Sequence, residues 1–209
     1  MPALFLETIR LESGIPQNLV RHVERMKRTA TDKQFEVPTL PDLEDLCPTE
    51  LRHGSTVKCR IIYRDSIESI SFDAYTPRTI LTLALAKLPE DFDYSYKYLR
   101  RHILDELRLA SGCDEVLLYN SEGLLCDSSF SNLIFEREDG VWITPDRPLL
   151  NGTMRQTLLK EDKGSNAPMI KEGSIRIEDL PLFRRVAFIN AMLPFEKAIV
   201  CPLSHLKRK

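Results

Sequence analysis

Several side chains along this chain carry groups able to do chemistry, and their order is informative. Lys97 stands among Tyr94, Tyr96 and Tyr98. Partial burial beside rings lowers an amine's pKa and makes it a nucleophile and proton carrier. The plain alternative is a surface lysine. Arg25 falls between Arg21 and Arg28 in a stretch of helical spacing. A guanidinium there is either a solvated charge or a fork able to grip phosphate oxygens. Asp127, in CysAspSerSer, reads from its neighbours as a turn aspartate able to cap Ser128 or Ser129. Gly152-Thr153-Met154 opens an expected helix. The unpaired amides of such a start attract an anion, or they are simply capped. No G-x-G-x-x-G, P-loop, G-x-S-x-G or H-E-x-x-H motif is present.

The elements that must position these groups follow from periodicity and breakers. Residues 3–11 are extended, with a turn at Ser13-Gly14. Leu19, Val23, Met26 and Ala30 recur at helical spacing after Asn18, a candidate N-cap. Pro38 and Pro41 break the chain; a short acidic helix is expected at 41–47 and another around 49–53. Residues 56–63 and 67–75 form a hairpin about Arg64-Asp65-Ser66, and 79–86 a further strand. The polar, aromatic connector 89–96 is the expected domain boundary. A helix is predicted from about Tyr98 to Ser111, stopped by Gly112. Short strands follow at EVLLYN, LLCDS, SNLIFERE and VWITP, with a hairpin signal at Glu138-Asp139-Gly140. A helix over 151–160, a loop at 162–168, a helix near 178–183 and strands at 185–190 and 198–203 complete the pattern. Strands and helices in separate blocks indicate an α+β arrangement, with domains at 1–90 and 95–209.

Composition narrows the class. The 209 residues suffice for one large or two small domains, and 43% are hydrophobic, enough to fill a packed core. A net charge of −2 gives no indication of a nucleic-acid partner, and the basic run 207–209 reads as a solvated tail. Five cysteines without a C-x-x-C pair argue against a disulfide framework or zinc site, and for a reducing compartment. The N-terminus is too short and too soon charged for a signal peptide, and no apolar run approaches the ~18 residues of a membrane span. The expectation is a soluble, cytoplasmic protein.

Taken in order, the segments from 96 to 196 say more than any one of them. They run Tyr-Lys-Tyr-Leu-Arg-Arg, Gly-Cys-Asp-Glu, Asp-Ser-Ser-Phe-Ser-Asn-Leu, Thr-Pro, Asn-Gly-Thr-Met-Arg and Asn-Ala-Met-Leu-Pro. Glu7-Thr8, Leu19, His22 and Arg25-Met26 match in order ahead of them. This series resembles the fold-type-IV pyridoxal-phosphate (PLP) enzymes, the class-IV aminotransferase family, and within it the aminodeoxychorismate lyases. The resemblance spans most of residues 4–200, strongest from 96 to 155.

The resemblance implies a two-domain α+β fold of the D-amino-acid aminotransferase type, with a barrel-like C-terminal sheet, and PLP between the domains. It makes Lys97 the lysine that holds the cofactor. It places Asp127, where the family usually has glutamate, against the pyridine nitrogen, keeping the ring electron-withdrawing. Arg25, the backbone of Thr153 and Met154, and the loop of Ala191 and Met192 would receive the phosphate, with Asn190 fixing that loop. Asn132 would buttress the site. His102 is either near the cofactor's phenolic oxygen or on a helix surface; Arg155 is structural or substrate-facing; Phe135 and Trp142 are core.

The Asn190–Pro194 segment is similar to that of the lyases, which form 4-aminobenzoate and pyruvate from 4-amino-4-deoxychorismate in folate synthesis. A class-IV aminotransferase for a branched-chain or D-amino acid is the alternative, a non-catalytic homologue the third. The partners implied are a small amino substrate and a second copy in a homodimer, without nucleic acid or membrane. The chain starts at the strand LeuPheLeuGluThrIleArg, without the segment that members place ahead of it. It also lacks the family's R-G-x-G-x-R-G-Y loop, with Arg64 at the comparable position.

Overall fold

A computed structural model describes residues 2–52, 54, 56–160 and 170–207. The loop expected at 162–168, His53 of the expected 49–53 helix and the last two residues of the basic tail lie outside the described residues. The chain divides into two compact units, Met1–Pro77 with Tyr96–Arg100, and Arg78–Ser95 with Arg101–Lys209.

In the first unit, β1 (Phe5–Glu12) pairs antiparallel with the short β2 (Ile15–Pro16) and, over its whole length, with β3 (Thr56–Tyr63). β3 pairs in turn with β4 (Ile67–Ala74), giving the order β2-β1-β3-β4. Strict alternation assigns the faces. Val57, Cys59, Ile61 and Tyr63 are buried, and Thr56, Lys58, Arg60 and Ile62 are partly covered on the other side. On β1 the buried side carries Phe5, Glu7, Ile9 and Leu11. Helix α1 (Leu19–Asp32) adds Met26 to a cluster with Phe5 and Tyr63. The short α2 (Leu43–Leu46), capped by Asp42, inserts Leu43 among Ile9, Leu11, Val57, Cys59 and Ile61. Burying each such aliphatic side chain contributes about 1.5–3 kcal/mol. Asn18 does occupy the N-cap position of α1, but at φ 55° its side chain makes no capping bond.

In the second unit, β5 (Leu83–Lys87) lies parallel to β6 (Glu115–Tyr119), with α3 (His102–Ser111) between them in sequence. β7 (Leu125–Ser128) and β8 (Asn132–Arg137) continue the sheet antiparallel. β9 (Trp142–Pro145) joins β8 on the same edge as β7, and after α4 (Thr153–Lys160) β10 (Ile170–Gly173) adds parallel to β9. β11 (Phe183–Ile189) takes the other edge of β8 and pairs with β12 (Ile199–Pro202). Leu206 then bridges Leu83, and Lys207 N donates to Leu83 O at 2.8 Å, so the sheet curls back on its first strand as a barrel-like wall. Leu133, Phe135, Val186 and Phe188 fill its main core with Leu83, Leu117 and Leu125. The alternate residues Ile134, Ala187 and Ile189 pack with Trp142 and Met154 of α4. Phe135 and Trp142 are thus both core, and Trp142 meets Phe195 edge-on at 5.2 Å.

Two elements begin later than periodicity indicates. The strand expected at 79–86 starts at Leu83, because the amides of Leu81 and Thr82 are taken by Asp114 Oδ2 at 2.9 and 2.8 Å rather than by a neighbouring strand. It also lies in the second unit, not with the N-terminal sheet. The helix expected from Tyr98 starts at His102. Tyr98 instead bridges Phe5, and Leu99 N donates to Leu4 O at 2.9 Å, so long-range strand pairing overrides the local helical pattern. Lys97 therefore sits on an extended segment before the helix, not at its head. Among the described residues no helix is long and apolar enough to cross a membrane.

Candidate active site

In the first unit the segment Tyr96–Arg100 is laid along β1. Leu6 N donates to Lys97 O at 2.9 Å, which fixes the lysine's backbone one residue from Glu7. Rings surround the segment: Tyr98 lies 5.4 Å from Phe5 and 6.0 Å from Tyr96. Tyr96 donates its hydroxyl to Asp32 Oδ2 at 3.0 Å and carries the Lys33 ammonium 4.2 Å above its ring. Lys97 itself is half-buried. Tyr94 stacks on Phe92 in the other unit.

Glu7 is fully buried, at an inward position of β1. A carboxylate there needs partners, and α1 supplies two of them, three residues apart on one face. Arg25 donates from Nε at 2.8 Å and Nη2 at 2.5 Å, and His22 Nδ1 lies 2.6 Å from Oε2. Burial alone would raise the Glu7 pKa, but Arg25 and His22 outweigh it and hold it at about 2. Burial, followed by the charges of Arg25 and Lys97, pushes His22 below the ordinary imidazole range against the pull of Glu7. His22 is thus neutral, donates from Nδ1, and keeps a buried Nε2 with no partner among the described residues. Arg25 is neither solvated nor spent wholly on an external anion; two of its nitrogens neutralise Glu7.

In the second unit Asp127 lies on β7, paired across the ladder with Asn132 of β8. Its Oδ1 accepts from Asn132 Nδ2 at 2.7 Å and its Oδ2 from Leu150 N at 3.0 Å. It does not cap the serines after it. Ser128 Oγ bonds Ser131, and Ser129 is held by Glu115. Burial raises Asp127 to about 7, even though these donors favour its charged form. Asn132 also donates to Leu150 O at 2.8 Å, tying β8 to the approach of α4.

Gly152 precedes α4, and a Cβ there would come 2.1 Å from Asn132 Oδ1, so only glycine lets the helix start sit against this asparagine. Met154 N, in the first turn, has no acceptor among the described residues. Arg155 is buried, donating to Pro145 O at 2.8 Å and Glu172 Oε1 at 2.5 Å, a structural brace. In the last loop Asn190 Oδ1 accepts from Met192 N at 2.8 Å and Leu193 N at 3.1 Å. That asparagine fixes the loop, and it also takes the Met192 amide. Ala191 N alone of the two expected donors has no acceptor among the described residues. His102 is exposed.

Glu7 and its ion pair were not among the residues singled out for chemistry. The available signal was its phase: it shares the inward positions of β1 with Phe5, Ile9 and Leu11. Nor was Glu115 singled out, a buried carboxylate that binds the loop after Asp127.

Residues 95–196 match the amino-transferase class IV family. An uncharacterised protein of Haemophilus influenzae is 34% identical over 194 residues, 89% of this chain and 96% of that one. The crystal structure of a proposed 4-amino-4-deoxychorismate lyase from Haemophilus somnus is 28% identical, with a TM-score of 0.75, covering 92% of this chain and 97% of that one. A hypothetical aminotransferase from Mycobacterium tuberculosis in a PLP-bound form shares the fold at a TM-score of 0.77 and 16% identity, over 95% of this chain and 80% of that one.

Each unit, taken by itself, carries groups of the kind such a cofactor uses. The first has a half-buried lysine beside a neutralised ion pair. The second has a buried carboxylate, a helix start stripped of a Cβ, and amides at Met154 and Ala191 suited to an anion.

Proposed function

The chain belongs to the class-IV aminotransferase family and is a PLP-dependent enzyme, and from that premise we propose that it eliminates pyruvate from 4-amino-4-deoxychorismate to leave 4-aminobenzoate. The observation that carries the choice of reaction is the Asn190-Ala191-Met192-Leu193-Pro194 loop, similar in sequence to that of the lyases and held in shape by Asn190 Oδ1.

In this proposal Lys97 would hold the cofactor through Nζ, and with the substrate amine in place the same nitrogen would carry a proton. Bound PLP supplies the electron sink for the carbon that loses its proton. Asp127 meets the pyridine nitrogen. Its two oxygens are already oriented by Asn132 and Leu150, which limits how far the shorter side chain can swing. The amides of Thr153, Met154 and Ala191, together with Arg25, serve the phosphate. The Met192 amide, already given to Asn190, contributes through the loop's shape. Glu7 with Arg25 places no net charge beside Lys97, and neutral His22 adds none. A homodimer in the cytoplasm, serving folate synthesis, belongs to the same proposal.

The test is optical and then chemical. Purified protein with PLP should show the visible absorbance band of a lysine-bound cofactor. Borohydride should fix the cofactor on the peptide carrying Lys97, and Lys97→Ala should abolish both. Supplied with aminodeoxychorismate, the enzyme should release 4-aminobenzoate. Amino transfer to 2-oxoglutarate or pyruvate without 4-aminobenzoate would replace this reading with the aminotransferase one.

A further inference from the structure

The open face of the first unit's sheet holds a cation to which no described side chain is paired. Alternation along β3 sends Arg60 to the side opposite Val57, Cys59 and Ile61. Across the ladder it stands between Thr8 of β1 and Ser71 of β4. In the adjoining row Arg10 Nη1 pairs with Glu12 at 2.8 Å, although its buried Nε has no partner among the described residues, and Lys58 lies 3.6 Å from Asp73. Among the described residues, the Arg60 guanidinium makes no hydrogen bond, ion pair or ring contact, and the hydroxyls of Thr8 and Ser71 make none either.

Arg60 is only partly exposed. Its guanidinium is not committed to any protein group, and a planar fork of this kind matches the two oxygens of a carboxylate. Cross-strand neighbours lie about 4.5–5.5 Å apart at Cβ, so both hydroxyls are within reach of an anion seated on that fork. Arg64, by contrast, is already engaged: it donates to Ala3 O at 3.3 Å and lies 5.2 Å over the Phe35 ring. Two residues along β1 from Thr8, Leu6 carries the Lys97 backbone. The row therefore belongs to the same unit as the lysine and lies near its anchor.

We propose that Arg60, flanked by Thr8 and Ser71, binds a carboxylate of the amino substrate. This rests on the proposed function, which it deepens by assigning the residue that recognises the substrate's acid group. Maleate is a suitable probe, because it has two carboxylates and no amine to react with the cofactor.

Calorimetric titration of the PLP-loaded protein with maleate should give saturable binding. Arg60→Gln should weaken it at least about tenfold, and Arg60→Lys, which keeps the charge but loses the fork, should fall between. Lys58→Gln, on the same face but in a settled pair, should leave it within about twofold. The cofactor band and melting transition of Arg60→Gln should match the parent's. Maleate binding undiminished in Arg60→Gln, an equal loss in Lys58→Gln, or inorganic phosphate binding as tightly as maleate would each overturn the assignment. If the parent protein lacks the cofactor band, the proposed function fails, while the maleate comparison still decides Arg60.

Discussion

Glu7 and Asp127 are both buried, yet their surroundings move them in opposite directions. Glu7 is held at about 2 against an ordinary 4.5, so its folded form prefers to stay charged. Its contribution to stability is complete above pH 4.5 and is lost as pH falls toward 2. Asp127 is raised from 3.8 to about 7, so the folded chain holds its proton more tightly than the unfolded chain does. Its contribution is complete below pH 3.8 and is lost as pH rises to 7. Denaturant titrations of cofactor-free protein should therefore show stability falling between pH 4 and 7, a slope that Asp127→Asn removes. The acid-side loss should vanish in Glu7→Gln, which at neutral pH should cost about 3–5 kcal/mol by removing the negative charge that the buried Arg25 faces. A parent curve flat from pH 4 to 7 would contradict the environment assigned to Asp127. At this scale the sequence is legible where a motif names the residue and silent where only the partner gives it meaning. Lys97, Asp127 and Gly152 stand in recognisable runs. The link from Glu7 to His22 and Arg25 spans a strand, a turn and a helix, and only the packing of α1 on β1 reveals it.

At the scale of elements, the link between β7 and β8 is held from a distance. Glu115, the first residue of β6, accepts from Ser129 N at 3.0 Å and Ser129 Oγ at 2.9 Å, with Arg78 Nη1 at 3.3 Å. Arg78 also lies 4.2 Å over the Phe130 ring. Removing that carboxylate strands buried donors, so Glu115→Ala should destabilise the fold by about 1–3 kcal/mol. It should also speed hydrogen exchange selectively at the Ser129 amide; unchanged protection there would show that the loop is held by other means. The strands themselves follow from alternation: Val57, Cys59, Ile61 and Tyr63 alternate inward as the pattern requires. The late starts of β5 and α3 were not legible, because each depends on a distant acceptor or strand, Asp114 in one case and β1 in the other.

For the whole molecule, all five cysteines are buried and unpaired, and burial pushes Cys59 and Cys126 up to about 12. A thiol reagent should therefore label none of them rapidly in native protein and all five after denaturation, so that labelling reports global opening. Fast native labelling of any one would show that its cover is looser than described. The curl of the second unit was implied by family resemblance, yet its closing contact, Leu206 on Leu83, joins segments too far apart in sequence for periodicity to pair. The path of the chain has a further result. Because Arg78–Ser95 is built into the second unit and Tyr96–Arg100 returns to the first, no single scission yields two self-contained pieces. A protease cut in the 89–96 connector would leave the N-terminal fragment without the stretch bearing Lys97. Gene fusion or fragment exchange at that border would therefore separate a sheet from its own lysine, and the amine can be inherited only with the polypeptide on both sides of it.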